Sequence, residues 1–215
     1  MPLFVLNEYN QFPDVELSEP DGLLAMGGDL APERLLAAYQ KGIFPWYEGD
    51  NILWWCPDPR FVLFPDELRI SKRVSALFRK NKFKLTTNKN FKGVIRQCKE
   101  TQRPGQEGTW ITDEVEAAYC KMHELGYGHS VEVWGGNQLI GGLYGIKLGK
   151  VFFGESMFSK VSNASRFAFI QYAQQLREEG IKLIDCQVYT EYLESFGARM
   201  IPRNEFTGRL QSLII

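Results

Sequence analysis

Val151-Phe152-Phe153-Gly154-Glu155-Ser156-Met157-Phe158, then a helix-like stretch from Asn163 to Glu179 closed by Gly180, then Lys182-Leu183-Ile184-Asp185-Cys186-Gln187-Val188: the sequence reads here as strand, helix, strand. Both outer segments are apolar and rich in aromatic or β-branched residues, which suits a pleated, partly buried surface. Each nevertheless carries a carboxylate, Glu155 in the first and Asp185 in the second. A charge inside such a strand costs on the order of several kcal/mol unless it is paired or put to use. Neighbouring strands would bring the two acids to the same face of one sheet, and the pair therefore marks a candidate site. For either acid alone, a satisfied structural anchor is an almost equal alternative. Asp185 and Gln187 are two apart, so strand alternation predicts side chains on one face, with Cys186 turned the other way into packing.

Working outward, Asp113 to Leu125 is a helix with Val115, Ala118, Tyr119, Met122 and Leu125 on one side, ended by Gly126. Ser130 to Trp134 and Gln138 to Ile146 form a hairpin around Gly135-Gly136-Asn137. Phe83 to Thr87 reads as a strand, Phe91 to Cys98 as a helix, and Arg199 to Pro202 as a last strand after a turn at Phe196-Gly197. Helix, antiparallel strands, helix, strand, strand is an α+β order, that of an acetyltransferase-like (GNAT-like) mixed sheet. Residues 1–65 differ in being rich in Pro, Gly and Trp. Pro32 suits a first helical position and Gly42 the residue past a helix end, with Leu35, Leu36 and Tyr39 between them. Pro57 and Pro59 force extended backbone. The expected organisation is a small, irregular N-terminal α/β domain over 1–65 and a GNAT-like domain over 66–215.

The 215 residues are 44% hydrophobic and 13% aromatic, which reads as globular and well packed rather than disordered. No run of apolar residues is long enough for a membrane span, so no membrane association is expected. The first residues lack a basic segment before an apolar one, which reads against a secretory signal. Four scattered cysteines and only two histidines imply reduced thiols in a cytoplasmic protein, with no metal. The net charge of −1 hides segregation: residues 1–68 hold 3 Lys/Arg and 12 Asp/Glu, whereas residues 69–103 hold 12 and 1. That basic block points to a polyanionic partner, with a plain solvated surface as the alternative. Within it, Ser71 caps a helix whose apolar face is Val74, Leu77 and Phe78, with Lys72, Arg73, Arg79 and Lys80 opposite. Cations in a first turn oppose the helix dipole, a penalty that makes sense if they meet phosphate.

Nothing resembles an activated Ser or Cys nucleophile: Ser156 has no base beside it, and its surroundings are not a nucleophile elbow. The chemistry expected is direct transfer without a covalent enzyme intermediate. Of the five tryptophans, Trp54, Trp55 and Trp134 read as core, while Trp110 lies in a loop before a helix, where an aromatic can grip a ligand.

Six segments, in order, resemble the bacterial leucyl/phenylalanyl-tRNA–protein transferase family: Gly22-Leu23-Leu24-Ala25-Met26-Gly27-Gly28-Asp29-Leu30, Gly42-Ile43-Phe44-Pro45-Trp46, Trp54-Trp55-Cys56-Pro57-Asp58-Pro59-Arg60, Gly108-Thr109-Trp110-Ile111-Thr112, Phe153-Gly154-Glu155-Ser156-Met157-Phe158-Ser159 and Leu183-Ile184-Asp185-Cys186-Gln187. The resemblance implies transfer of Leu or Phe from an aminoacyl-tRNA to the α-amine of a protein beginning with Arg or Lys, marking it for N-end-rule degradation by a monomer without cofactor. It implies that Asp185 holds Gln187, whose oxygen draws on the attacking amine, and that Glu155 sits near the acceptor's cationic residue. It further implies that Trp46 and Trp110 line the acceptor or 3′-adenosine site. Leu143, Tyr144, Phe152, Phe169 and Ile184 would surround the transferred side chain, and Lys72, Arg73, Arg79 and Lys80 would contact tRNA. The segment after Gln187, with Thr190, Tyr192 and Ser195-Phe196-Gly197, departs from the family pattern. Two other readings stay open: an acetyl-CoA-dependent N-acetyltransferase, for which Ser159 to Arg166 lacks the glycine-rich pyrophosphate loop, and a non-catalytic tRNA-binding protein using the basic block alone.

Overall fold

The computed structural model describes residues 3–80, 83–101 and 109–214, without the side chains of Arg73, Leu77, Arg79 and Lys80. Two sheets organise it. The smaller has four short strands, β1 (Phe4–Leu6), β2 (Leu23–Gly27), β3 (Phe44–Pro45) and β4 (Leu53–Trp55), in the order β1-β2-β4-β3. Between β2 and β3 runs α1 (Pro32–Gln40), with its proline in the first turn and Gly42 at φ +76° just past its end, as the sequence predicts. The N-terminal segment is thus a regular sheet rather than irregular. Its strands of two to five residues are too short for a period-two pattern to register.

The larger sheet takes β5 (Arg60–Leu63), β6 (Lys84–Thr87), β7 (Gly128–Gly135), β8 (Gln138–Leu148), β9 (Val151–Ser159), β10 (Leu183–Gln187) and β11 (Arg199–Ile201). Their order is β11-β5-β10-β9-β8-β7-β6, antiparallel throughout except for the parallel pair β9 and β10. β5, expected in the N-terminal domain, hydrogen-bonds between β11 and β10 as a strand of this sheet. The helices are α2 (Lys72–Lys80), α3 (Phe91–Glu100), α4 (Asp113–Glu124), α5 (Ala164–Glu178), α6 (Glu191–Glu194) and α7 (Arg203–Leu213). α7 goes beyond the sequence reading, although Phe206, Leu210 and Leu213 carry its apolar spacing.

Alternate residues of the central strands enter opposite cores, which is why these strands read as nearly continuous apolar runs. Val62, Tyr144, Phe153 and Leu183 face a core shared with α1, α3, α4, α7 and the small sheet. Phe61, Leu63, Leu143, Phe152 and Ile184 face a second core built with α5 and the Leu193–Ala198 segment. Trp54, wholly buried, joins the small sheet to the first core, as expected of a core indole. The result is a three-layer helix–sheet–helix body with the small sheet continuous with one outer layer.

Candidate active site

The parallel pairing of β9 and β10 runs Leu183↔Val151, Ile184↔Phe152, Asp185↔Phe153 and then stops, although both strands continue along their other neighbours. Just past the last shared pair each strand carries a bulge. On β9, Gly154 and Ser156 face Gly145 and Tyr144, leaving Glu155 as the extra residue. On β10, Asp185 and Gln187 face Val62 and Phe61, leaving Cys186 extra. A bulge bends its strand and re-aims the side chains beside it. Two of them back to back open a cavity of about 330 Å³ whose lining includes Glu155, Asp185 and Gln187.

Asp185 is wholly buried and held by Arg60, equally buried, through Nε to Oδ1 at 2.8 Å and Nη2 to Oδ2 at 2.7 Å. The guanidinium lies between the rings of Phe44 and Phe206, 4.7 Å from each centroid, an arrangement its weakly hydrated plane favours. Oδ1 also accepts the backbone N–H of Gln187 at 2.9 Å. Gln187 has φ +63°, a left-handed conformation rare outside glycine. Strand alternation predicted that Asp185 and Gln187 would present their side chains together. Both residues line the cavity while Cys186 packs against the second core; within that arrangement Asp185 grips the backbone of Gln187, and the Gln187 amide turns to Glu155. Burial pushes the Cys186 thiol far above its usual range, so this cavity-lining sulfur stays protonated.

Glu155 accepts three hydrogen bonds: Tyr39 hydroxyl to Oε1 at 2.8 Å, Tyr119 hydroxyl to Oε2 at 3.0 Å, and Gln187 Nε2 to Oε1 at 3.1 Å. Burial raises its pKa to about 7, against the two tyrosine hydrogen bonds that pull the other way. The tyrosine oxygens also lie 2.6 Å apart. With Glu155 ionised, two hydroxyl protons must serve three O···O contacts; with Glu155 neutral, its own proton makes the third. The cluster is therefore built to hold a proton near neutral pH. Because Gln187 Nε2 is committed to Glu155, the Gln187 carbonyl oxygen is the atom free to accept from a ligand.

The rest of the lining is mostly apolar. Leu143, Tyr144, Phe152, Phe169 and Ile184 all line the cavity, as do Trp46 and Trp110. The Phe152 ring meets Tyr172 edge-on at 5.1 Å, and Phe169 stacks on Phe196 at 5.7 Å. Trp110 is buried and T-shaped to Tyr119, whereas Trp46 is 38% exposed. Thr190 lines the cavity and caps α6 through its hydroxyl. Tyr192 packs edge-on against Phe196.

Arg60, Tyr39, Tyr119 and Phe44 are site or supporting residues that the sequence reading did not single out. A wholly buried Asp demands a cation, and Arg60 closes one of the quoted segments, so that signal was present. The tyrosines come from α1 and α4, whose helical spacing marks them only as core. Lys72 is exposed on α2, away from the cavity lining. The side chains of Arg73, Arg79 and Lys80, and Gly108 entirely, lie outside the described residues. Among the described residues, no group of three or more His, Cys, Asp or Glu could hold a metal ion.

A family described as leucyl/phenylalanyl-tRNA protein transferase matches residues 62–211, and its N-terminal domain matches residues 28–58. A leucyl/phenylalanyl-tRNA–protein transferase of Syntrophus aciditrophicus is 55% identical over 212 residues, 98% of this chain and 89% of that protein. One from Flavobacterium johnsoniae is 58% identical over 202 residues, 94% of this chain and 95% of that one. Among solved structures, a GCN5-related N-acetyltransferase from Kribbella flavida aligns at TM-score 0.40 and 10% identity over 80% of this chain and 61% of that one, a likeness too slight to carry an argument.

Proposed function

The chain belongs to the leucyl/phenylalanyl-tRNA–protein transferase family, and from that premise we propose that this cavity moves Leu or Phe from aminoacyl-tRNA to the α-amine of proteins beginning with Arg or Lys. The product carries a new N-terminal residue of the kind that N-end-rule degradation reads. The observation that carries the reading is the convergence, in one cavity at the fork of β9 and β10, of Glu155, Gln187 and Asp185 with an apolar wall.

The reaction exchanges an ester for an amide. The acceptor nitrogen attacks the carbonyl carbon, the C–N bond forms, the bond to the ribose oxygen breaks, and the proton lost by nitrogen ends on the released hydroxyl. An α-amine has a pKa of roughly 7.7–8.0, so a useful fraction is already neutral and alignment matters more than strong base. In this reading the Gln187 carbonyl oxygen accepts an N–H of the attacking amine and aims its lone pair. Asp185 positions Gln187 through its backbone. Glu155 faces the acceptor's cationic residue and, when ionised, offers the counter-charge. Leu143, Tyr144, Phe152, Phe169 and Ile184 hold the transferred side chain, with Trp46 and Trp110 against the acceptor or the terminal adenosine. The protonated Cys186 thiol fits direct transfer rather than an acyl-enzyme. Lys72, Arg73, Arg79 and Lys80 on α2 form the tRNA contact.

We read the larger sheet as GNAT-like, because its one parallel pair splays at the site and α5 joins those two strands. The boundary between the units, drawn near residue 65 from sequence, is better placed between Trp55 and Arg60, where the chain leaves the small sheet. A cytoplasmic monomer fits the substrates. Among the described residues, no helix is long and apolar enough to cross a membrane.

Incubating the protein with Leu-tRNA or Phe-tRNA and peptides beginning with Arg, Lys or Ala tests the function. Labelling of the Arg and Lys peptides alone is expected. RNA binding without labelling would favour the tRNA-binding alternative and overturn the reading.

A further inference from the structure

Gln187 is held in a conformation its residue type disfavours, by its backbone N–H to Asp185 Oδ1 and by the Val188 N–H to the Cys186 carbonyl across it. The same oxygen accepts Arg60 Nε at 2.8 Å, and its partner oxygen accepts Nη2 at 2.7 Å. β5 and β10 are already joined by backbone pairing, so the ion pair is not needed to bring the strands together. A hydrophobic pair of similar volume would serve stability as well or better. What the planar fork supplies is a fixed orientation of the carboxylate, which an ammonium or an apolar side chain would not. The fork is itself clamped, between Phe44 of β3 and Phe206 of α7. Phe206 also abuts Gly42, where an added Cβ would fall 2.6 Å from its ring.

We propose that Arg60 is a positioning residue for the transfer reaction. Clamped by Phe44 and Phe206, it fixes Asp185 so that Oδ1 holds the Gln187 backbone in its left-handed conformation and the Gln187 carbonyl at the reacting amine. The small sheet and the last helix are thereby coupled to the geometry of the site through one guanidinium. This rests on the function proposed above. It adds that Arg60, which does not line the cavity, governs turnover rather than substrate affinity.

The test uses the full chain and transfer from Phe-tRNA to an Arg-initiated peptide. Arg60→Lys keeps the charge and loses the fork. Its kcat is expected to fall about 100-fold, the loss that a misplacement of about 1 Å can cause, with KM for both substrates within about twofold. Backbone amide exchange at Gln187, followed by NMR or mass spectrometry, is expected to accelerate in the same variant, a readout that needs no activity. Arg60→Met combined with Asp185→Asn removes both charges, so it leaves no unpaired ion in the core. It is expected to match Asp185→Asn alone in kcat within about twofold, as residues acting through one another do. A double variant slower than Asp185→Asn by the full Arg60→Lys factor overturns the inference. So does an Arg60→Lys protein with unchanged kcat or unchanged Gln187 exchange. Failure of the unaltered protein to transfer Leu or Phe would sink the functional reading instead, and the exchange measurement would still decide on Arg60.

Discussion

Asp185 and Glu155 stand on adjacent strands of one sheet, beside adjacent bulges, and line the same cavity, yet they are neutralised by opposite means. Asp185 has a full counter-ion in Arg60, aligned by two hydrogen bonds and shielded from water. Glu155 has only neutral donors: two tyrosine hydroxyls and an amide. The first arrangement sets charge against charge. The second leaves Glu155 without a hydrogen-bonded counter-ion, and burial raises its pKa to about 7 although its hydroxyl donors pull the other way. A third buried acid sharpens the contrast. Glu132 on β7 accepts from the Thr86 and Ser130 hydroxyls and from the Lys89 and Asn90 backbones, and it does not line the cavity. It anchors the turn before α3. Hydroxyl donors around a carboxylate therefore make a site only where the sheet also opens.

The contrast breaks first, if it breaks, in stability. Asp185→Ala strands the Arg60 guanidinium in the core and should cost about 3–5 kcal/mol. Glu155→Gln strands nothing and should cost no more than about 1 kcal/mol. Urea unfolding of both variants at pH 7.5 measures this. Equal losses would mean that Glu155 also carries a buried structural charge and that the two acids are alike.

Much of this was legible in the strand–helix–strand run, because two acids in apolar strands need a reason. The sequence reading found both, and every residue it placed around the transferred side chain lines the cavity. What it missed follows from long-range geometry. Asp185 and Arg60 are 125 positions apart, Glu155 and Tyr39 116, and no local pattern pairs them. Nor did the sequence reading show that Asp185 reaches Gln187 through the backbone N–H, because alternation assumes a regular strand. The one-residue bulge at Cys186, beside which the Gln187 N–H meets Asp185, leaves no mark in composition. The short strands of residues 4–55 hid for a different reason: they are held by the shared core rather than by their own patterns.

A smaller effect separates the acids by pH. The folded state raises the Glu155 pKa to about 7 from 4.5, so it favours the neutral form. Its contribution to stability is full below about pH 4.5 and lost as pH rises through about 7. Glu155→Gln should remove that slope, so the variant should gain stability relative to the native protein from pH 5 to pH 8. Binding of a cationic acceptor residue runs the opposite way, because it needs the carboxylate. KM for an Arg-initiated peptide should fall about tenfold between pH 6 and pH 8, following the ionised fraction of a group with pKa near 7. Glu155→Gln keeps the titration of the peptide amine and should lose the Glu155 part of the profile. An unchanged profile in the variant would detach Glu155 from the acceptor.

The smallest effect lies on the apolar wall, where neither acid acts. Phe169 sits on α5, buried, with its ring stacked on Phe196 and one side exposed to the cavity. Phe169→Leu removes ring volume from a surface that already borders open space, so collapse is not forced and little stability is lost. The added room suits a transferred phenylalanine better than a leucine. The ratio of kcat/KM for Phe-tRNA over Leu-tRNA should therefore rise, by less than about tenfold, since a pocket of this kind discriminates by shape alone. Because the residue touches neither Glu155 nor Asp185 through a hydrogen bond, the pH profile of the variant should match that of the native protein. A fall of equal size for both donors would place Phe169 against the nucleoside instead of the side chain, and the division of the cavity into a polar fork and an apolar wall would have to be redrawn around it.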